Sequence, residues 1–397
     1  MPTSTTDRHG RRIALVYDRL DGYAGAERVL EQKILLYPQS DVFASIDILR
    51  PHERAFLHGK TPITTFAQKL PLVRKHHRHF ILLLMFAMEQ LDLGDYDLVI
   101  SGSASIAKGV LTGPHQLHIS YVHSPMRYAW DLQHQYLREA GLEKGLKSLL
   151  ARWMMHRARL WDTRTANGVD HYIANSQFIA RRIWKIYRRQ STVIYPPVAV
   201  ERLPIQTNKD SFYLTASRLM PYKKVRTIVE AFASLPQRRL IVVGDGTEMR
   251  AIKAAAGPNV EILGYQPSNV LVSLMQKARA FVFAAEEDFG ITPVEAQACG
   301  TPVIAYGRGG ALETVRGLGH PYPTGLFFER QEPPAIAEAI CRFERAQECF
   351  APVACRQNAE RFSEQVFREH FSRFVEQSWE SFRASPRQEP LLKVGNL

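Results

Sequence analysis

Short runs of apolar residues alternate along the chain with stretches of helical character. Continuous apolar runs bounded by turn residues are typical of strands that are buried on both faces. In the first half of the chain these runs lie at residues 12–17, 41–45, 97–101, 117–122 and 171–175. The alternation then restarts, with runs at residues 212–216, 239–243, 260–263, 280–284 and 302–305. The pattern predicts an α/β protein with two doubly wound parallel-sheet domains.

Two prolines in the segment 193–198 separate the two sets of runs. Proline ends regular structure because it lacks a backbone N–H. We therefore predict a first domain of residues 1–197, a second domain of residues 198–365, and a helical tail of residues 366–397 that is frayed from Ser385 on. Open parallel sheets bind ligands beyond the carboxyl ends of their strands. The residues that follow each predicted strand are therefore the candidates for chemistry.

Two glutamates, Glu287 and Glu295, follow the run at 280–284 with seven residues between them. Gly290 lies in the predicted turn, and Pro293 suits the first turn of a helix. A helix start has unpaired N–H groups and partial positive charge, so it favours an anionic ligand. One carboxylate could contact sugar hydroxyls beside a phosphate, and the other could contact a ribose. An ordinary strand–turn–helix with solvated acids is the alternative.

Two cations, Arg218 and Lys223, follow the run at 212–216. A guanidinium can donate two parallel hydrogen bonds to phosphate oxygens, and an ammonium adds a mobile point charge. Together they are suited to a nucleotide diphosphate that leaves as a glycosidic bond breaks. A loop with two surface cations would have the same composition.

In the first domain, glycines and a histidine follow predicted strands. Gly25, with Gly22 nearby, follows the first strand, where glycine lets a phosphate approach the backbone, although a plain strand–helix turn is also possible. His123 follows the fourth strand and could hydrogen-bond a sugar hydroxyl or have a structural role. Arg127 and Asp131 lie further along the same segment, either on the acceptor side or in a local salt bridge.

Three glycine-containing turns lie in the second domain. Gly244 and Gly246 are similar to part of a dinucleotide fingerprint, but Met249 takes the place of its third glycine, so NAD binding is disfavoured. Gly264 and Tyr265 follow the strand at 260–263. The turn at 305–310 suits phosphate binding and packing equally.

The stretch around Glu287 and Glu295 resembles the signature of the retaining glycosyltransferases of family 4. Phe289–Gly290 follow the first glutamate, and Cys299–Ile304 follow the second. This family has the GT-B fold, in which two Rossmann-like domains face a cleft and the last helix returns to the first domain. The segment from Tyr121 to Asp131 resembles that of bacterial mannosyltransferases that assemble O-antigen or exopolysaccharide.

The resemblance implies a reaction and a set of roles. The implied donor is a nucleotide sugar, GDP-mannose, the implied acceptor is a lipid-linked oligosaccharide, and no metal or other cofactor is expected. Glu287 and His123 would be catalytic residues beside the transferred sugar, and Arg127 and Asp131 would lie on the acceptor side. The residues that would bind the donor are Gly25, Arg218, Lys223, Gly264, Tyr265, Phe289, Gly290, Ile291, Thr292 and Glu295.

Composition predicts where the protein is found. The 397 residues include four cysteines without the spacing of a metal site, which we interpret as free thiols in a reducing cytosol. The first residues lack the apolar core of a signal peptide. The longest apolar run, at 80–88, is shorter than the ~20 residues that span a bilayer. We therefore predict a cytoplasmic protein.

The net charge of +12 lies mostly in the first 200 residues, which hold 27 Lys and Arg against 17 Asp and Glu. Such a field suits an anionic membrane face, a phosphorylated substrate or nucleic acid, and no nucleic-acid module is recognisable. Basic and large apolar residues occur together at 74–88 and at 144–161. Both segments favour peripheral binding at the inner face of the cytoplasmic membrane, with half-buried helices as the alternative.

Other functions stay open. A sugar-nucleotide epimerase of the same fold would convert the donor without an acceptor. A catalytically inactive interaction protein would bind a membrane or nucleic acid without consuming a nucleotide sugar, but Arg218, Lys223, Glu287 and Glu295 are all present, which argues against it. An NAD oxidoreductase is the least favoured because neither glycine turn is complete.

Overall fold

The computed structural model describes residues 6–384, and for Lys75 and Arg78 it describes only the backbone. The predicted frayed end, from Ser385 on, lies outside the described residues. The chain divides into two compact units. Unit 1 comprises the residues up to Ala174, Arg182–Ile194 and the residues from Arg368 on, and unit 2 comprises Asn175–Arg181 and Tyr195–Phe367.

A seven-stranded parallel sheet forms the centre of unit 1. In chain order its strands are β1 (Ile13–Tyr17), β2 (Asp41–Ala44), β3 (Ile63–Thr64), β4 (Leu98–Ser103), β5 (Leu117–Val122), β6 (His171–Ala174) and β7 (Ser191–Val193). Across the sheet the order is β3-β2-β1-β4-β5-β6-β7. The direction of winding therefore reverses between β1 and β4, which is where open sheets of this kind bind ligands.

Six helices follow these strands: α1 (Gly25–Leu36), α2 (Val73–His76), α3 (Ile81–Glu89), α4 (Gln133–Glu139), α5 (Leu146–Thr165) and α6 (Gln177–Tyr187). Helix α1 begins where Glu27 accepts a hydrogen bond from the Ala24 backbone N–H over 2.9 Å, which satisfies one of the N–H groups at the helix start. Helix α3 is the predicted apolar run, and it buries Leu84, Met85 and Met88 in the core of unit 1. In the described part of the chain, no helix is long and apolar enough to cross a membrane.

Unit 2 is built on a six-stranded parallel sheet. Its strands are β8 (Tyr213–Ala216), β9 (Leu240–Val243), β10 (Val260–Gly264), β11 (Ala280–Phe283), β12 (Val303–Tyr306) and β13 (Gly325–Phe328), in the order β10-β9-β8-β11-β12-β13. The helices are α7 (Val225–Ala233), α8 (Met249–Ala255), α9 (Ser268–Lys277), α10 (Ile291–Ala298), α11 (Ala311–Thr314), α12 (Pro333–Arg345) and α13 (Pro352–Glu360). Helix α7 shows why these segments fold as they do, because Val225, Ile228, Val229 and Phe232 recur at helical spacing and are all buried.

The last helix, α14 (Glu364–Ala384), belongs to unit 1 from Arg368 onward. Its Glu376 accepts hydrogen bonds from both Arg11 Nη atoms, at 3.0 and 2.8 Å. Arg11 is 2% exposed and also donates to Asp7. Phe371 and Val375, on the same helix, are buried. This helix therefore completes both the core and a buried ion-pair network of unit 1.

The predicted fold class is confirmed, since all ten predicted apolar runs form strands of the two parallel sheets. The prediction that the cysteines are free is also confirmed. Three strands were missed, namely β3, β7 and β13. Strand β3 has two residues, and β7 is polar and lies at a sheet edge, so neither gives an apolar run.

Candidate active site

Arg218 and Lys223 lie in the loop between β8 and α7. Arg218 is exposed, and its Nη2 donates to the Tyr222 hydroxyl over 3.4 Å. The Lys223 ammonium lies 5.3 Å from the centroid of the Tyr222 ring and forms an ion pair with the Glu287 carboxylate. Arg218, Tyr222, Lys223 and Glu287 therefore form a continuous series of contacts that joins the carboxyl ends of β8 and β11.

The start of α10 presents the other predicted residues of this segment. Gly290 precedes the helix with φ 89°, a left-handed conformation that costs other residues about 1–2 kcal/mol. Ile291 and Thr292 open the helix and are partly exposed, and Glu295 lies one turn later, also partly exposed. The backbone N–H groups of this turn can bind an anion beside Glu287.

The turn that contains Glu287, which we call the glutamate turn, is fixed from two sides. The Phe289 ring is 3% exposed and packs against Tyr195 and Phe362, with centroid distances of 5.7 and 5.4 Å. Gly310 donates its N–H to the Glu287 carbonyl over 2.8 Å, and a Cβ at Gly310 would lie 2.3 Å from the Phe289 Cα. The turn at 305–310 therefore packs directly on the glutamate turn, and Phe289 has its ring in the core.

A second glycine turn, which contains Gly244 and Gly246, fixes the loop between β8 and α7 in the same way. We call this loop, which holds the two cations, the cation loop. A Cβ at Gly244 would lie 1.8 Å from the Ser217 carbonyl oxygen, and one at Gly246 would lie 2.4 Å from the Leu219 carbonyl oxygen. Leu219 donates its N–H to the Asp245 carbonyl over 2.8 Å. The two backbones approach this closely only because neither glycine has a side chain.

Gly264 and Tyr265 lie at the carboxyl end of β10, next to the turn that contains Gly244. Gly264 has φ 69°, and its carbonyl accepts a hydrogen bond from the Gly244 N–H over 2.8 Å. Tyr265 is 78% exposed, so its ring is available for contact. The two glycine turns, the cation loop and the glutamate turn follow β9, β12, β8 and β11, and Gly264 is the last residue of β10, so these parts lie at five neighbouring strands. The structure brings the predicted donor-side residues of unit 2 together at one edge of its sheet.

Sequence reasoning missed a second support of the glutamate turn. Ser176 Oγ donates to the Asp288 carbonyl over 2.6 Å. The Glu313 carboxylate accepts the backbone N–H groups of Gln177 and Phe178, over 2.7 and 2.9 Å. These residues are more than 100 positions apart in the chain, so no local pattern could have indicated the contact.

In unit 1, Asp18 joins the two strands at the winding reversal. Its carboxylate accepts backbone N–H groups from Ala104, Ile106 and Ala107, over 2.6, 2.7 and 2.6 Å. Burial raises the pKa of this carboxyl, while the three hydrogen bonds oppose that shift. Asp18 therefore holds the loop after β4 against the end of β1, and the sequence analysis did not identify it.

His123 follows β5 and contacts aromatic rings. Its ring centroid lies 5.1 Å from that of Tyr121 and 6.3 Å from that of Tyr17. Burial, with a smaller contribution from the Lys33 ammonium, lowers the pKa of His123 to about 3. The imidazole is therefore neutral near pH 7, and a neutral imidazole has one nitrogen that donates and one that accepts a hydrogen bond.

The other unit 1 candidates have local partners. Asp131 accepts a hydrogen bond from Arg182 Nε over 3.0 Å, so it takes part in a salt bridge within unit 1. Arg127 is partly exposed on the same segment. Gly25 opens α1 directly beside Glu27, which also accepts the Tyr17 hydroxyl over 3.0 Å. Gly25 and His123 follow β1 and β5, which lie on either side of β4.

Two family models match the chain. Residues 200–362 match the glycosyl transferases group 1, and residues 39–202 match glycosyltransferase family 4. The two matches overlap at residues 200–202 and together span residues 39–362. The chain therefore belongs to the family 4, group 1 glycosyltransferases, and the family predicted from the glutamate signature is confirmed.

Several characterised proteins are similar to parts of the chain. A GDP-mannose-dependent monoacylated α-(1-6)-phosphatidylinositol monomannoside mannosyltransferase of Corynebacterium glutamicum is 32% identical over 139 residues, which are 31% of this chain and 35% of that protein. The α-1,3/1,6-mannosyltransferase of Schizosaccharomyces pombe is 25% identical over 273 residues, which are 55% of this chain and 50% of that protein. The matches thus span a third to a half of the length of these relatives.

Solved structures share the fold over nearly the whole chain. The Anabaena protein HepE in complex with UDP has a TM-score of 0.66 at 19% identity, with 92% of this chain and 100% of that chain covered. Sucrose-phosphate synthase from Thermosynechococcus elongatus has a TM-score of 0.69 at 17% identity, with 94% and 100% covered. These likenesses confirm the predicted GT-B class, with its two parallel-sheet α/β domains.

Proposed function

We propose that the protein is a retaining glycosyltransferase that uses a nucleotide sugar. The observation that supports this most directly is the contact series of Arg218, Tyr222, Lys223 and Glu287 at the carboxyl edge of the unit 2 sheet. A guanidinium and an ammonium side by side suit a diphosphate. A carboxylate next to them suits the hydroxyls of the sugar that the diphosphate carries.

In the proposed reaction, the oxygen of an acceptor hydroxyl bonds to the anomeric carbon on the face from which the diphosphate leaves. The bond between that carbon and the diphosphate oxygen breaks, and the leaving oxygen accepts the hydroxyl proton. Arg218 and Lys223 stabilise the negative charge that develops on the diphosphate. Glu287 accepts a hydrogen bond from the sugar and Glu295 from the ribose, so donor binding replaces the Lys223–Glu287 ion pair by contacts to two parts of one molecule.

We further propose that the transferred sugar is mannose from GDP-mannose and that the acceptor is a lipid-linked oligosaccharide of cell-surface polysaccharide synthesis, at the inner face of the cytoplasmic membrane. Two relatives named as mannosyltransferases support the choice of sugar. Unit 1 would bind the acceptor, with Arg127 and Asp131 as candidate contacts. The neutral imidazole of His123 would hydrogen-bond a sugar hydroxyl.

The donor is tested by thermal denaturation of the purified protein with GDP, UDP and ADP and their sugars. A ligand that binds only the folded state raises the melting temperature, by an amount that grows with the logarithm of its concentration divided by its Kd. We expect GDP-mannose to give the largest shift. A larger shift with UDP-glucose would replace the donor and leave the class of enzyme unchanged.

The site is tested with Glu287→Gln and Lys223→Met, measured for transfer and for folding by circular dichroism. Each should lower the transfer rate by on the order of a hundredfold, because each removes a group that interacts with charge or hydroxyls at the reacting centre. Glu286→Gln is the matched control, since Glu286 is the exposed neighbour of Glu287, and it should transfer normally. Near-normal rates in both site variants would refute the assignment.

A further inference from the structure

Helix α5 exposes large apolar side chains on its solvent side. Leu146 is 86% exposed, Leu149 66%, Leu150 58%, Trp153 54% and Leu160 52%. At about 100° per residue, these five positions fall within about 100° of the helix circumference. We call these five residues the α5 apolar face.

Packing within unit 1 does not account for this face. The buried side of α5 consists of Ser148, Ala158, Asp162 and Thr165, which lie on the opposite side of the helix by their spacing. A surface helix normally has polar residues on its solvent side. Adjacent exposed apolar side chains indicate instead a surface that a partner covers.

The sequence around the α5 apolar face is rich in positive charge. Residues 138–190 hold twelve Lys and Arg against four Asp and Glu, an excess of eight in a net charge of +12. Lys144, Lys147 and Arg157 are exposed beside the apolar residues, whereas Asp162 is buried and adds no negative charge to the surface. Cations next to leucine and tryptophan side chains suit an interface of anionic headgroups and acyl chains.

We propose that the α5 apolar face docks on a bilayer surface that contains anionic lipids. This rests on the proposed function, and it assigns the membrane association to one defined surface. Of the two segments that favoured a membrane in the sequence, α3 buries four of its eight apolar side chains in the core and packs three more against it, so α5 is the one that remains. Nucleic acid suits the charge but offers little contact for four leucines.

The same helix holds the segment of the acceptor-side candidates. Arg159 Nη1 donates to the Ala129 carbonyl over 2.7 Å, and Trp130 Nε1 donates to the Asp162 carboxylate over 2.7 Å. Arg127 and Asp131 lie on either side of these contacts. Docking through α5 would therefore hold this segment of unit 1 beside the lipid headgroups, where a lipid-linked acceptor is found.

The test measures co-sedimentation of the full chain with vesicles of phosphatidylcholine alone or mixed with phosphatidylglycerol. We expect at least about tenfold stronger binding to the mixed vesicles, weakened by salt. A variant with Leu146→Ser, Leu149→Ser and Leu150→Ser should lose about tenfold or more of this binding, because less apolar surface is buried. Lys147→Gln with Arg157→Gln should lose a similar factor on mixed vesicles only.

The matched control replaces three exposed leucines elsewhere, Leu35→Ser, Leu111→Ser and Leu318→Ser, which are 45%, 58% and 39% exposed. It should bind vesicles as the wild type does. The proposal is overturned if the wild type binds neither vesicle, or if the α5 variant and the control lose binding equally. It is also overturned if the α5 variant loses only binding to an oligonucleotide, or converts a wild-type dimer into a monomer.

Thermal stabilisation by GDP-mannose, measured on the same samples, separates this result from the proposed function. The α5 variant should keep the full stabilisation, which also shows that it is folded. Absent vesicle binding with intact donor stabilisation refutes only the docking surface. Vesicle binding without stabilisation by any nucleotide sugar refutes only the donor site.

Discussion

Lys33 is a cation in the interior of unit 1, and its replacement by methionine should stabilise that unit. The side chain is 2% exposed, and among the described residues no carboxylate forms an ion pair with it. Its ammonium lies 4.8 Å from the centroid of the Tyr121 ring and 5.4 Å from that of Phe371. Burial lowers the pKa of Lys33 from 10.5 to about 7. Methionine has a similar length and no charge.

The magnitude follows from the pKa. A decrease from 10.5 to about 7 corresponds to about 5 kcal/mol of stability lost at pH values below 7. The two ring faces offset about 2 kcal/mol of this by cation–π attraction, which leaves a gain of about 3 kcal/mol for the variant. The folded state disfavours the charged form, so the loss of stability due to Lys33 is absent above pH 10.5 and grows as the pH falls towards 7. The difference between variant and wild type should widen by about 1–3 kcal/mol from about pH 9 to about pH 6.

Tryptophan fluorescence during urea unfolding is a suitable assay. All five tryptophans, at positions 130, 153, 161, 184 and 379, lie in unit 1, so the signal follows that unit alone. The free energy of unfolding is measured at both pH values for the wild type, for Lys33→Met and for Lys69→Met, an exposed lysine of the same unit. The control should change by about 0.5 kcal/mol or less.

Two results would refute this reasoning about Lys33. An equal gap at the two pH values would show that burial of the ammonium has no pH-dependent cost. A destabilised variant would show that Tyr121 and Phe371 stabilise the charge by more than its burial costs. Either result would mean that the amine stays protonated in the folded protein throughout this pH range.

Two further substitutions test the contact of Gly310 with the glutamate turn and the ion pair between Arg11 and Glu376. Gly310→Ala should lower transfer at least about tenfold and lower the melting temperature, because its Cβ would lie 2.3 Å from a backbone atom of the glutamate turn. Gly319→Ala, which has open space at its Cβ, should leave both measurements unchanged. Glu376→Gln should lower the free energy of unfolding of unit 1 by about 1–3 kcal/mol, because it weakens one of the two carboxylate contacts of buried Arg11. Urea unfolding of Glu380→Gln, an exposed position of the same helix, should match the wild type.

The two sheets could be predicted because strands buried on both faces leave continuous apolar runs. Strand β7, Ser191–Val193, could not, since an edge strand tolerates serine and threonine. Strand β13, Gly325–Phe328, was not predicted either. Its identity as a strand depends on pairing with β12, which no local pattern encodes.

The candidate site could be predicted where each residue lies in the loop that follows a strand, as Arg218, Lys223 and Glu287 do. Tyr222, which connects the two cations, gave no signal because a tyrosine in a loop has no specific chemistry. The role of Gly310 depends on a backbone contact between two different turns. The burial of Lys33 could not be predicted either, because a lysine within a helix is normally exposed.

Unit 2 takes the heptapeptide Asn175–Arg181 from outside its main stretch of sequence. A fragment that started at Tyr195 would lack Ser176 and the two N–H groups that Glu313 accepts, so the glutamate turn would lose this support. Expression of unit 2 alone would therefore call for peptide complementation, with the heptapeptide added in trans or fused ahead of Tyr195. If the solubility of the fragment depends on that peptide, unit 2 needs both of its separate stretches of sequence to fold.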